Sequence, residues 1–210
     1  MSEHRHGHSC EGEHQHDESP EMGVQYSLYM KIDKENMECL NEAAENSGKD
    51  VFKPWEERLN FEKFVESDCD EELLFNIPFT GNIKLKGIIV VGANNDSHPA
   101  KMKLFKNRPK MTFDEAAVKA DQEFEMQRDT TGRLEYSTKV VTFSSVHHLS
   151  IYFPKNFSDG EESTQIYYIG LKGEFSEAHR HGVTICNYEA WASPSDHKVD
   201  QGDTVSRMIQ

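Results

Sequence analysis

The sequence contains no CxxC pair, although it has four cysteines, Cys10, Cys39, Cys69 and Cys186. Thiols this far apart in sequence argue against a dithiol redox centre and against a disulfide framework, and they fit a cytosolic or nuclear chain. Cys69 stands among carboxylates, which raise a thiol pKa and make it a poor nucleophile. Cys186 alternates with Val183 and Ile185 in a strand pattern and is expected to be an inert buried thiol. No apolar run approaches the ~18 residues of a membrane span, and the polar N-terminus shows no apolar signal region. GxSxG, P-loop and HExxH motifs are all missing, and carboxylate pairs are too numerous to single any out. The chain is therefore expected not to be an enzyme, and no cofactor is expected. Positive charge is also scarce, with 23 basic side chains against 37 acidic ones and a formal net charge of −14. Such a surface repels phosphate backbones and anionic lipid, so neither nucleic acid nor membrane is expected as a partner. A basic patch on another protein is its natural electrostatic complement.

At 210 residues and 24.1 kDa the chain suits one domain with tails, expected as a monomer. Residues 1–24 form a His-rich, low-complexity head that cannot bury a core and is expected to be disordered. The domain is expected over 25–192, and 193–210 reads as a polar tail. Two metal readings attach to the head. A free Ser2 amine with His4 third in line can wrap Cu(II) or Ni(II) in a square plane. Alternatively His4, His6, His8, Cys10, His14 and His16 hold zinc loosely. Ordering a flexible tract costs free energy, so no dedicated metal site is expected. His179, His181 and Cys186 lack a fourth ligand for a structural zinc.

Between the tails the hydrophobic period is 2. Ile83, Leu85, Gly87, Ile89 and Val91 fall on one face of a long strand, with Ile88 and Val90 on the other. Met102 and Leu104, and Phe124 and Met126, alternate with charged residues. His147, Leu149, Ile151 and Phe153 share a face, as do Tyr167, Ile169 and Leu171. This places His147 as a hydrogen-bonded core residue and turns His148 the other way. Turn signals separate the strands at Asn94-Asn95-Asp96, Asn107-Arg108-Pro109, Thr131-Gly132 and Ser158-Asp159-Gly160. Asn41 to Asp50 reads as a polar loop. One short helix is expected over Phe113 to Lys119, opened by a Thr112/Glu115 capping box. The pattern predicts an all-β sandwich or jelly roll.

The segment Phe64 to Gly81, FVESDCDEELLFNIPFTG, concentrates five carboxylates, Glu66, Asp68, Asp70, Glu71 and Glu72, ahead of the strand Leu73–Ile77. Pro78 and Thr80-Gly81-Asn82 predict a hairpin turn into Ile83–Lys86. The acidic run is either a docking surface for a basic partner or a solvated loop that blunts aggregation. Trp55 is expected to pin the N-terminal segment onto the sandwich, sharing burial with Phe52, Phe61 and Phe64. Trp191 either closes the core or contacts a partner.

FVESDCDEELLFNIPFTG resembles the opening of the PITH domain, the module at the C-terminal end of proteasome-interacting thioredoxin-like proteins. Four further blocks resemble that family: FKPWEERLN from Phe52, KLKGIIVVGANNDSHPAKMKLFKN from Lys84, IYYIGLKGEF from Ile166 and VTICNYEA from Val183. The layout, a His-rich head and no second domain, is similar to the stand-alone members in animals. Thioredoxin-like relatives carry a CxxC domain that this chain lacks, so disulfide exchange does not carry over. The resemblance implies a galactose-binding-like jelly roll in the cytoplasm and nucleus. It also implies binding to the regulatory particle of the 26S proteasome. Charge and position, rather than the resemblance, make Glu66, Asp68, Asp70, Glu71, Glu72 and Trp191 the candidate contacts. The alternative is a small-ligand, carbohydrate-like binding module, which loop aromatics clustered beside Asp, Asn or Arg would favour.

Overall fold

Strand β3, Leu73–Gly92, organises the molecule. The structure, a computed structural model, describes residues 20–177. The first half of β3 pairs with β1 (Glu38–Leu40) and β7 (Val146–Phe153), and the second with β6 (Glu135–Ser137) and β8 (Gln165–Ser176), all antiparallel. On the β7 side β4 (Lys101–Lys106) and β5 (Gln122–Glu125) extend the sheet; on the β8 side β2 (Val65–Glu66) ends it. One bent strand thus serves both layers of a galactose-binding-like jelly roll.

The predicted hairpin at Thr80-Gly81-Asn82 is a bend within β3 instead. Hairpin turns of the favoured types need positive φ, and Gly81 is not among the residues that adopt it. Its lack of a side chain serves a different purpose. A Cβ on Gly81 would lie 2.7 Å from the Phe175 ring and 2.8 Å from the Ser176 carbonyl, so glycine lets β8 cross close to the bend. Pairing with β7 shifts register between Pro78 and Ile83, where a proline without an N–H is tolerated.

The same irregularities correct the predicted faces. A register shift between Leu85 and Gly87 moves the alternation by one residue. Ile83 and Leu85, then Ile88 and Val90, face the main core, while Ile89 and Val91 face outward. The strand is covered on both sides, as expected. His147 lies opposite the bend and is exposed rather than in the core, while His148 is half-buried. A further shift between Val91 and Gly92 takes Tyr167 away from Ile169 and Leu171.

The main core joins both halves of β3: Phe75 meets Phe52 and Phe153 edge-on at 6.0 and 5.9 Å, and Ile88, Leu104, Leu149 and Ile169 belong to the same buried cluster. Two smaller clusters cover the outer faces. One packs α3 (Phe113–Ala116) and Met111 against Leu74, Phe105 and Tyr152. This helix is shorter than predicted, but the Thr112 N–H donates to Glu115 at 2.9 Å as the capping box requires. The other outer cluster packs Tyr26 and Trp55 against Ile89, Val91 and Tyr168, with Met22 of α1 (Pro20–Gln25) beside them. Trp55 stacks on Tyr26 at 5.0 Å and fixes the N-terminal segment, as expected. A short helix, α2 (Ser47–Asp50), interrupts the expected polar loop.

Candidate functional site

Loop chemistry gathers at one edge of the fold, beside β2 and the start of β8. The acidic run leaves β2 and is built partly from its own carboxylates. Asp70 Oδ1 accepts from Asn41 Nδ2 at 2.8 Å and from the Glu72 N–H at 2.9 Å. Tyr152 Oη donates to Glu72 at 2.7 Å, and Ser163 Oγ and Gln165 Nε2 both donate to Glu66. Glu66, Asp70 and Glu72 therefore brace the loop. Asp68, Asp70 and Glu71 line a cleft of about 220 Å³ whose opposite wall is Gly160, Glu161, Glu162 and Ser163. The Ser158-Asp159-Gly160 turn makes that wall, with positive φ of 51° at Asp159 and 90° at Gly160. Folding thus doubles an acidic run that the sequence shows only once. Cys69 faces this cleft, where its thiol donates to Asp68 and that carboxylate pushes its pKa up. Burial does the same for Cys39.

Next to the acids lies an aromatic patch. Phe61 and Phe64 are 49% and 37% exposed, and Phe52 is buried in the main core while Trp55 packs in an outer cluster, so the expected shared burial with Trp55 does not form. Both rings pack on Tyr167, at 4.9 and 5.7 Å between centroids. Phe61 and Tyr167 wall a cleft of about 230 Å³ floored by Gly92, Asn94 and Thr130.

Two buried cations hold the walls of this cleft. Lys53, 6% exposed, donates to the carbonyls of Asn60 and Lys63 at 2.6 and 3.2 Å. Arg58 lies 4.2 Å over the Trp55 ring and donates to the Trp55 carbonyl at 3.2 Å and the Thr131 carbonyl at 3.4 Å. The loop behind Thr130 is closed by Asp129. Burial opposes ionisation of its carboxyl, but donation from Leu134, Thr131 and Gly132 outweighs this and holds its pKa low. His98, fully buried, locks the same loop: Nε2 accepts from the Asp129 N–H at 3.0 Å and Nδ1 lies 2.8 Å from the Pro99 carbonyl. Burial lowers its pKa, which keeps the ring neutral and Nε2 an acceptor.

Sequence reasoning missed Lys53, His98 and the Phe61–Tyr167 patch. The only signal for the patch was spacing, since Phe61 and Phe64 do not share a strand face with core residues. Trp191, Cys10, Cys186, His179, His181, the head histidines His4, His6, His8, His14 and His16, and the 193–210 tail lie outside the described residues. Among the described residues no three His, Cys, Asp or Glu side chains are grouped to hold a metal.

Comparison with known proteins adds family and fold. The pattern of the PITH domain family matches residues 18–192. A PITH domain-containing protein of Drosophila pseudoobscura pseudoobscura is 70% identical over 194 residues, covering 92% of this chain and 91% of the relative. PITH domain-containing protein 1 of Homo sapiens is 57% identical over 202 residues, covering 93% and 95%. Among solved structures, the paired CBM32-1 and CBM32-2 domains of Clostridium perfringens ZmpB, in complex with GalNAc, share the fold at a TM-score of 0.52 and 9% identity. That match covers 74% of this chain and 39% of the two-module protein.

Proposed function

The chain belongs to the PITH domain family, and from that premise we propose that it is a non-enzymatic adaptor or regulator that binds the regulatory particle of the 26S proteasome. The observation that carries the reading is the acidic cleft, in which Asp68, Asp70 and Glu71 face Glu161 and Glu162. Opposed acidic walls steer a domain towards basic surfaces and repel acidic ones. Trp191 and the 193–210 tail supply a second contact in this reading, and the protein acts in the cytoplasm and nucleus. Affinity purification from native cytosol, scored by mass spectrometry for regulatory-particle subunits, tests it. Enrichment of those subunits by wild type and their loss with an Asp68→Asn, Glu71→Gln, Glu161→Gln variant supports the reading. Equal recovery by both proteins removes the acidic cleft from it.

A second reading, a small-ligand module, has one observation in its favour: Phe61 and Tyr167 stand beside Asn94 and Thr130 in an open cleft. An aromatic wall with a few polar groups is the usual make-up of a small-molecule site. Titration with galactose and N-acetylgalactosamine, followed by chemical shifts at Asn94 and Thr130, tests it; unmoved resonances remove it.

A further inference from the structure

Apolar surface is normally left exposed in single, scattered side chains. Here Phe61, Phe64 and Tyr167 form one contiguous patch, and the fold fixes it in place. The buried Lys53 ammonium ties down Asn60 and Lys63 on either side of Phe61, and Glu62 N–H donates to Asn60 Oδ1 at 3.0 Å. The exposed rings are therefore presented on a braced loop, which lowers the ordering cost of a partner binding there.

The patch also has a direction. On one flank the cleft between Phe61 and Tyr167 has about 230 Å³, room for one large apolar side chain. On the other flank Phe64 borders a second cleft of about 240 Å³ that includes Asp50, Glu62 and Glu66. A polar relay then leads onward. Tyr167 Oη donates to Gln165 at 3.4 Å, Gln165 donates to Glu66 at 3.2 Å, and Ser163 donates to the same carboxylate while lining the acidic cleft. Apolar and acidic sites thus follow one another along the β2–β8 edge. Lys63 is the cation lining the middle cleft, and it is ion-paired to Asp50 at 3.8 Å.

We infer that this edge is a groove for an extended basic peptide segment of a partner protein. One aromatic or aliphatic side chain of the peptide fills the Phe61–Tyr167 cleft, and its Lys or Arg side chains meet Glu62 and Glu66, then Asp68, Glu71 and Glu161. Charge complementarity selects this occupant. An acidic peptide is repelled by the carboxylates of the two clefts beyond the rings, and a purely basic one leaves the aromatic cleft empty. Rings of this kind, desolvated by an apolar or guanidinium anchor, carry most of the binding energy in such contacts. The inference rests on the protein-recognition reading of this face and not on the identity of the proteasome.

The test uses the full chain and fluorescence anisotropy of a short labelled peptide that alternates Lys and Arg with Leu and Phe. Controls are a charge-matched Lys/Ser peptide, an acidic Glu/Leu peptide and free N-acetylgalactosamine as competitor. The expected result is binding of the first peptide alone, weakened about tenfold or more by Phe61→Ala and by the charge reversals Glu62→Lys and Asp68→Lys, with no competition from the sugar. Phe61, Glu62 and Asp68 are exposed, and unchanged circular dichroism confirms that the variants fold. Equal binding of the Lys/Ser peptide, unaltered binding by Phe61→Ala, or displacement by the sugar overturns the groove. A chain that binds the peptide as expected but does not associate with proteasomes retains the groove and loses the proteasome assignment. Proteasome association without peptide binding does the reverse.

Discussion

Lys53 places its buried ammonium 2.6 Å from the carbonyl of Asn60 and so sets the position of Phe61 one residue later. Loss of the ammonium in Lys53→Met leaves the carbonyls of Asn60 and Lys63 to find water. The expected cost is about 1 kcal/mol, accompanied by faster amide exchange confined to residues 60–64. Exchange that accelerates across the whole sheet instead contradicts a local role.

Two tyrosines give a paired prediction. Tyr152 Oη donates to Glu72 at 2.7 Å, whereas Tyr168 Oη is buried without a hydrogen-bond partner among the described residues. Tyr152→Phe is expected to lower unfolding free energy by about 1–2 kcal/mol in urea titration, because it removes a donor to a charged acceptor. Tyr168→Phe is expected to be neutral or stabilising, since it removes a polar atom that burial leaves unpaired. A larger loss for Tyr168→Phe than for Tyr152→Phe contradicts these hydrogen-bond assignments.

Stability is expected to fall on mild acidification through His98. Its native pKa is lowered by burial, so below the unfolded value the unfolded state binds the proton and the native state does not. The contribution is present in full above about pH 6.5 and is lost as pH falls from there through the native pKa. Asp129 and Arg128 are the charged groups that act on the ring. Urea midpoints measured across this range are expected to decline for wild type and to show a flatter slope for His98→Asn, whatever that variant's absolute stability. An unchanged slope contradicts the assignment.

Cys69 is exposed yet expected to alkylate slowly, because Asp68 holds its thiol protonated. Asp68→Asn is expected to raise the iodoacetamide rate at mildly alkaline pH, read by mass spectrometry on the peptide containing Cys69. Equal rates in both proteins contradict the influence of Asp68.

The strands were legible in the sequence wherever alternation ran unbroken. Met102 and Leu104 in β4 and Leu149, Ile151 and Phe153 in β7 are buried as their period predicts. Turn residues were equally readable, since Asn107, Gly132, Asp159 and Gly160 all adopt positive φ. Failures cluster at the bulges. One inserted residue reverses every later face, and the only local sign of it is the strand glycine at each place, Gly87 and Gly92, which marks a bulge or a close approach without saying which. Gly81 misled for a related reason, because a glycine needed for close approach of β8 looks the same as one needed for a turn. At the candidate site the acidic run was visible, but its partner loop at Asp159–Glu162 is brought alongside only by the pairing of β2 with β8. Phe61 and Phe64 look like core residues in the sequence because an aromatic residue gives no sign of which side of a loop it occupies.

Co-sedimentation with purified 26S particles and with isolated 20S core, at low and high salt, measures the proposed proteasome association itself. Salt-sensitive association with the 26S particle is expected, and none with the 20S core. The Asp68→Asn, Glu71→Gln, Glu161→Gln variant and deletion of residues 193–210 are each expected to weaken it. Binding to neither particle, or to the 20S core alone, contradicts recognition of the regulatory particle.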